Sequence, residues 1–181
     1  TFNRGITTIN YTVTDSSNIT TTGSKTITVS DNTPPTLTTG PNQAVNTDAG
    51  ICTASVAVTN ATFGDNCSGS TISYTLSGAT TRALTTGQVG TYTFNLGITT
   101  INYTLTDSSN NTITGSKTIT VTDVTLPTLT VGANQNANTD TGVCTASIAV
   151  TNATFGDNCS VTISYTLSGA TSRALTLGQV G

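Results

Sequence analysis

The hexapeptide FGDNCS occurs twice, at Phe63–Ser68 and at Phe155–Ser160. An Asp, an Asn and a Cys in succession fit three chemistries: an activated thiol, a metal site, or one end of a disulfide. A nucleophilic thiol needs a base or a cation beside the sulfur. The chain contains no His, so neither a Cys-His pair nor a Ser-His-Asp set can form. No Lys or Arg stands within ten positions of either copy, and no helical pattern follows whose N-terminus would stabilise a thiolate. Metal ligation is weaker than it looks, because two thiolates per copy fall short of the four ligands of structural zinc. The disulfide is the favoured reading, with metal ligation as its rival. Cys52, Cys67, Cys144 and Cys159 are the only cysteines. An even, evenly distributed count points to an oxidising compartment outside the cell, with Cys52–Cys67 and Cys144–Cys159 as the expected staples. Closing a loop of about 15 residues contributes roughly 3 kcal/mol.

The carboxylates are the other candidates. All eight acidic residues are Asp. Glycoside hydrolysis uses a carboxylate pair, but Asp15, Asp31, Asp48 and Asp65 all fall in turn sequences, where Asp caps backbone amides. An enzyme is therefore not expected, nor a resident cofactor. Calcium is the one ion weighed, since it takes six to eight oxygens, largely from Asp, Asn and carbonyl groups. Asp31 and Asp123 in the Pro-containing junctions, with Asp15 and Asp107 in the neighbouring turn, are the candidate ligands. Arg82 and Arg173 are the only candidates for a ligand-reading side chain, and a solvated surface Arg is the plainer account of them.

Composition narrows the class. Charged residues make up 7% of the chain and the formal net charge is −3 with five Lys and Arg. A nucleic-acid surface needs a basic face, so none is expected. No apolar run is long enough for a membrane-spanning helix. Thr, Ser, Asn and Gly dominate, which suits either a disordered polymer or an extracellular β-module. Regular apolar spacing decides for the second.

The order lies in a repeat. GITTINYT begins at Gly5 and again at Gly97, and GSKTITV begins at Gly23 and again at Gly115, a shift of 92 in each case. Cys52 recurs as Cys144 and Cys67 as Cys159 at the same shift. One deletion then brings Tyr74 to Tyr165, Arg82 to Arg173 and Gly90 to Gly181. A period near 92 is the size of a self-sufficient sandwich module, too long for a solenoid repeat. The chain thus reads as a window on a longer tandem array. Residues 1–35 are the end of one repeat, 36–127 a complete repeat, and 128–181 the start of the next.

Within a repeat, strict alternation marks the strands. Ile9, Tyr11 and Val13 share a face, as do Ile27 and Val29, then Cys52, Ala54, Val56 and Val58, then Ile72, Tyr74 and Leu76, then Tyr92 and Phe94. Leu37 marks a short strand and Arg82–Leu84 a weak one. Tyr11, Phe63, Tyr74, Tyr92 and Phe94 are expected in the core. DSSN at Asp15 reads as a turn, and Pro34–Pro35 as a stiff junction. About seven strands per repeat and no helix predict an all-β fold: tandem antiparallel sandwiches of the immunoglobulin or fibronectin III kind.

These residues resemble the HYR (hyaline repeat) module. The resemblance rests on TDAGICTASVAVTNATFGDNCS, on Asp65–Asn66–Cys67, and on Phe94, Gly97, Thr99, Tyr103, Asp107 and Asn111, closing with Asp123 and Pro127. It extends over the whole chain. Two positions depart: the last strand, GSKTITV, lacks a further Cys common in the family, and Ser17 or Asn110 stands where Gly is usual. The resemblance implies an immunoglobulin-related fold, no catalytic residues, a cell-surface location and a role in adhesion. Near-identical copies are similar to the stalks of very large bacterial surface adhesins, including those of gliding bacteria. The implied function is a structural, adhesive spacer. The alternative is a module that binds a glycan or protein through loops such as Gly78–Gly90. Expected partners are the neighbouring repeats, with other surface or filament proteins or glycans beyond them.

Overall fold

The octapeptide GITTINYT, used twice, shows what builds this structure. The computed structural model describes residues 1–180. The first copy opens strand β1 (Gly5–Thr14), which pairs only with β2 (Thr20–Val29). There Tyr11 and Val13 are exposed. The second copy opens β10 (Gly97–Thr106), which lies between β11 (Thr112–Thr122) and β7 (Thr71–Gly78). Its Ile101, Tyr103 and Leu105 are almost completely buried. Alternation thus sets which side chains share a face, and neighbouring strands set whether that face is covered.

All fifteen strands among the described residues are joined by antiparallel or short paired ladders, and no helix occurs there. The central stretch holds β3 (Thr36–Thr38), β4 (Gln43–Asn46), β5 (Thr53–Ala57), β6 (Thr62–Gly64), β7, β8 (Arg82–Thr86), β9 (Thr91–Asn95), β10 and β11. A five-stranded sheet runs β4-β11-β10-β7-β8, with two-stranded pairs β3-β6 and β5-β9. The fold is all-β and of the immunoglobulin-like sandwich kind. It exceeds the expected seven strands because β4 and β6 are short and carry little apolar signal. A full strand set forms once, not in tandem. The remaining strands form the β1-β2 hairpin and the pairs β12 (Thr128–Thr130) with β13 (Thr154–Gly156) and β14 (Ser164–Leu167) with β15 (Arg173–Leu177).

The chain divides into two compact units. The first comprises Thr1–Gln43, Ala57–Tyr92 and Ile98–Ile119. Its core holds Ile72, Tyr74, Leu76, Ile101, Tyr103, Leu105 and Ile119. The Tyr74 and Tyr103 rings lie 6.4 Å apart and tilted by 56°, a favourable aromatic geometry. Lys117 is buried in the same unit, and its Nζ donates to Gln43 Oε1 and to the Thr59 carbonyl at 2.9 Å. Burial lowers its pKa. The second unit comprises Ala44–Val56, Thr93–Gly97 and Thr120–Gly181, with Ala54, Val56, Phe94 and Val121 buried. Of the five aromatics expected inside, Tyr74 and Phe94 are buried and Tyr92 is half-buried. Tyr11 and Phe63 are exposed.

Glutamines act as side-chain rungs where strands stop. Gln88 accepts from the Ala61 amide and donates back to its carbonyl, at 3.1 and 2.8 Å. Gln179 repeats this with Ala153 at 2.7 and 2.9 Å. Each bridges a backbone pair that no ladder bond satisfies.

Tyr103 is the weak point of the core. Among the described residues its buried hydroxyl has no hydrogen-bond partner, and burial, with Tyr74 adding to it, raises its pKa. A buried, unpaired hydroxyl costs about 1–3 kcal/mol of desolvation. Tyr103→Phe keeps the ring and removes that cost, so chemical denaturation should show it gaining about 1 kcal/mol. A loss of similar size would instead reveal a partner for the hydroxyl.

Candidate functional site

Each aspartate turn is built as the sequence predicts. Asp15 Oδ1 accepts from the Ser17 and Ile19 amides, and Asp107 Oδ1 from those of Ser109 and Asn111 at 2.8 Å. Asn110 sits in the left-handed region at φ 70°, which Asn tolerates, so the turn closes without the Gly usual there. Asp48 Oδ2 accepts from the Ser55 amide, and Asp65 Oδ2 from that of Cys67. Capping accounts for every one of these side chains.

Folding also converges them. In the first unit, oxygens of Asp31, Asp65 and Asp107 lie within 4.8 Å of one another. Asn111 ties the group together, donating to the Asp31 and Thr33 carbonyls and to Asp107 Oδ2. Asn66 donates to Asp31 Oδ1, and the same carboxylate raises the pKa of the Cys67 thiol. Of the four carboxylates expected to bind calcium, Asp31 and Asp107 meet. Asp15 and Asp123 lie outside this cluster, and Asp65 takes a place in it that its sequence position does not announce. Asp65 Oδ1 is buried without a partner among the described residues. Three oxygen donors are the chemistry of a hard cation, though calcium takes twice as many.

The charges of the group are stabilised by the fold. The Thr33 amide, ahead of smaller contributions, holds the Asp31 carboxyl below the usual 3.8, and the Thr125 amide does the same for Asp123. Burial pushes Asp107 up, but hydrogen bonds from Asn111 and Ser109 outweigh it, and its pKa is lowered too. A carboxyl with a folded pKa below its unfolded one stabilises the fold above the unfolded value, and that contribution vanishes as pH falls through the folded value. The melting temperature should therefore hold from neutrality to about pH 4 and fall below it. Asp107→Asn should make that fall shallower. A melting temperature flat down to about pH 2 would contradict the assignment.

The cysteines depart from expectation. Cys52 is bonded to Cys159, with a Cα–Cα distance of 4.9 Å, and Cys67 and Cys144 are free thiols. Neither staple within a repeat, Cys52–Cys67 or Cys144–Cys159, is formed. An exact repeat makes Cys67 and Cys159 equivalent, so spacing cannot say which one Cys52 meets. Local contacts decide it inside the second unit. Asn158 Nδ2 donates to Thr47 Oγ1 at 3.1 Å and to the Ile51 carbonyl at 3.2 Å, holding the 47–52 loop against Cys159.

Arg173 is exposed, as a solvated arginine would be, and Arg82 is half-buried. The Arg82 guanidinium stacks over Tyr74 at 5.5 Å and over Tyr92 at 5.1 Å, and Arg173 repeats this over Tyr165 at 5.8 Å. Both arginines are engaged by the chain's own aromatics, an arrangement worth about 0.5–2 kcal/mol.

The described residues thus form an all-β module with Asp-capped turns and one disulfide. Comparison with protein families assigns residues 30–121 to the HYR domain, and the chain belongs to that family. HYR is a non-catalytic repeat domain found in extracellular and cell-surface proteins. Comparison with curated proteins gives no match. No helix among the described residues is long and apolar enough to cross a membrane.

Proposed function

We propose that this chain is a non-enzymatic spacer in an array of HYR repeats, a segment of an adhesin stalk or filament shaft on the surface of a bacterium. The observation that carries the reading is the Cys52–Cys159 bond, which joins one copy of the repeat to the next. Tension along the chain passes through that bond, and the residues between its two ends are spared extension. Near-identity of the copies supports the same reading, since a spacer has no reason to diversify. Arg82 and Arg173 each lie against the chain's own tyrosines.

The spacer role calls for no resident cofactor, and each aspartate of the cluster accepts a backbone amide through one oxygen, with Asp65 Oδ1 left unpartnered among the described residues. A melting temperature raised by millimolar Ca²⁺ and restored by a chelator would instead place the ion on Asp31, Asp65 and Asp107. For the spacer reading itself, the purified chain should show no saturable binding on glycan and surface-protein arrays. Saturable micromolar binding by the isolated chain would overturn it in favour of a ligand-binding module.

A further inference from the structure

Cys67 and Cys144 are free, yet each occupies a place whose counterpart one repeat away is bonded. Cys67 follows Asp65 and Asn66, and Asn66 reaches the Asp31 carboxylate. Cys159 follows Asp157 and Asn158, and Asn158 donates to Thr47 Oγ1, whose hydroxyl in turn reaches Asp123 Oδ1, the counterpart of Asp31. The two cradles are alike, and in the second the 47–52 loop is seated.

The loop recurs as well. In the first, the Asp48 amide donates to the Thr53 carbonyl at 2.8 Å and the Ser55 amide to Asp48 Oδ2 at 2.9 Å. In the second, the Asp140 amide donates to the Thr145 carbonyl at 2.8 Å and the Ser147 amide to Asp140 Oδ2 at 2.9 Å. Gly50 and Gly142 share the positive φ that turns the chain, 75° and 81°. The second loop carries Cys144, exposed and in the shape that presents Cys52 to its partner. A plug is preformed at one place and a socket at the other.

We propose that Cys67 and Cys144 are half-sites for inter-repeat disulfides. On this assignment the loop cysteine of each repeat bonds the DNC cysteine of the repeat that follows. Cys67 takes the loop cysteine of another copy, and Cys144 enters the DNC turn of another copy. The assignment rests on the tandem-array reading above and gives the array a covalent bolt at every junction. The chemistry is thiol–disulfide exchange with a small organic disulfide as oxidant. One cysteine thiolate attacks the oxidant and releases one small thiol. The second thiolate then displaces the other small thiol, so two cysteines lose two protons and two electrons and two small thiols form.

The chain as it stands carries both halves, so it tests the assignment against itself. Concentrated protein is oxidised with a small organic disulfide and digested without reduction for mass spectrometry. The expected product is a ladder of head-to-tail oligomers whose new linkage is Cys144–Cys67, with Cys52–Cys159 retained. Cys67→Ser and Cys144→Ser should each stay monomeric, and a mixture of the two should stop at a dimer. Linkages in statistical proportion, a Cys67–Cys144 bond within one chain, Cys52–Cys67 peptides, or unreacted thiols after exhaustive oxidation would each overturn it. The outcome is separable from that of the array binding test. Ligand binding with correct linkages would sink the spacer and keep the bolt, and silence on the arrays with scrambled linkages would do the reverse.

Discussion

Replacing Cys159 by Ser is expected to cost the chain about 4–5 kcal/mol of stability, because the bond it removes closes a very long loop. Cys52 and Cys159 are 107 residues apart, and the chain-entropy account assigns roughly 4.7 kcal/mol to a loop of about 100 residues. That is a large share of the roughly 5–15 kcal/mol that holds a domain together. Strain in the bond or structure in the denatured chain would lower the value, so it is an upper figure. The comparison that makes the experiment decisive is Cys67→Ser. With Cys67 free, this change removes a small, partly exposed side chain and should stay within about 0.5 kcal/mol. Were the staple Cys52–Cys67, the ranking would invert: Cys67→Ser would cost several kcal/mol and Cys159→Ser would leave the Cys52 staple intact. Guanidinium denaturation midpoints of the two variants, measured without reductant, separate these cases.

Which features the sequence disclosed depends on how local their causes are. Alternation placed Ile72, Tyr74 and Leu76 on one face, and all three are buried. The Asp15 and Asp107 turns were legible because the cap acts over two to four residues. Burial was less legible. Tyr11 and Tyr103 share their octapeptide, and one is 48% exposed while the other is 1% exposed. The two strands differ in their neighbours: β10 pairs with β7 as well as β11, while β1 pairs with β2 alone. Strand β4 was missed for a similar reason: QAVN carries little apolar signal and is held by the long neighbouring strand β11.

Long-range chemistry was the least legible. Arg82 stacks on tyrosines of β7 and β9, so no single stretch shows all three. Asp65 joins Asp31 and Asp107 across widely separated turns, and its one local signal, the adjacent Asn and Cys, pointed to the thiol. The cysteine count established that disulfides were wanted, and the repeat itself concealed the pairing. Two identical DNC turns compete for one loop cysteine, and only the contacts of Asn158 with Thr47 and Ile51 distinguish them.

Gly78→Ala tests the same theme, equal sequence in unequal surroundings. Gly78 ends β7 at φ +98°, a conformation L-residues avoid at about 1–3 kcal/mol. A methyl group there would collide with the Ile98 carbonyl oxygen. That oxygen cannot retreat freely, because it accepts the Ala79 amide at 2.9 Å, a bond worth about 1 kcal/mol. Conformational strain, displaced backbone and a weakened hydrogen bond therefore act together, and a loss of about 3–5 kcal/mol is expected. Gly169 is the equivalent residue in the next copy, with nearly the same φ of +93° and nothing within 4 Å of its added Cβ. Gly169→Ala should carry the strain alone, about 1–3 kcal/mol. The difference between the two denaturation midpoints isolates the clash with Ile98 from the backbone preference that both glycines share. Equal losses would mean that the β7–β10 edge yields to the methyl group, and that φ alone selects glycine at this position of the repeat.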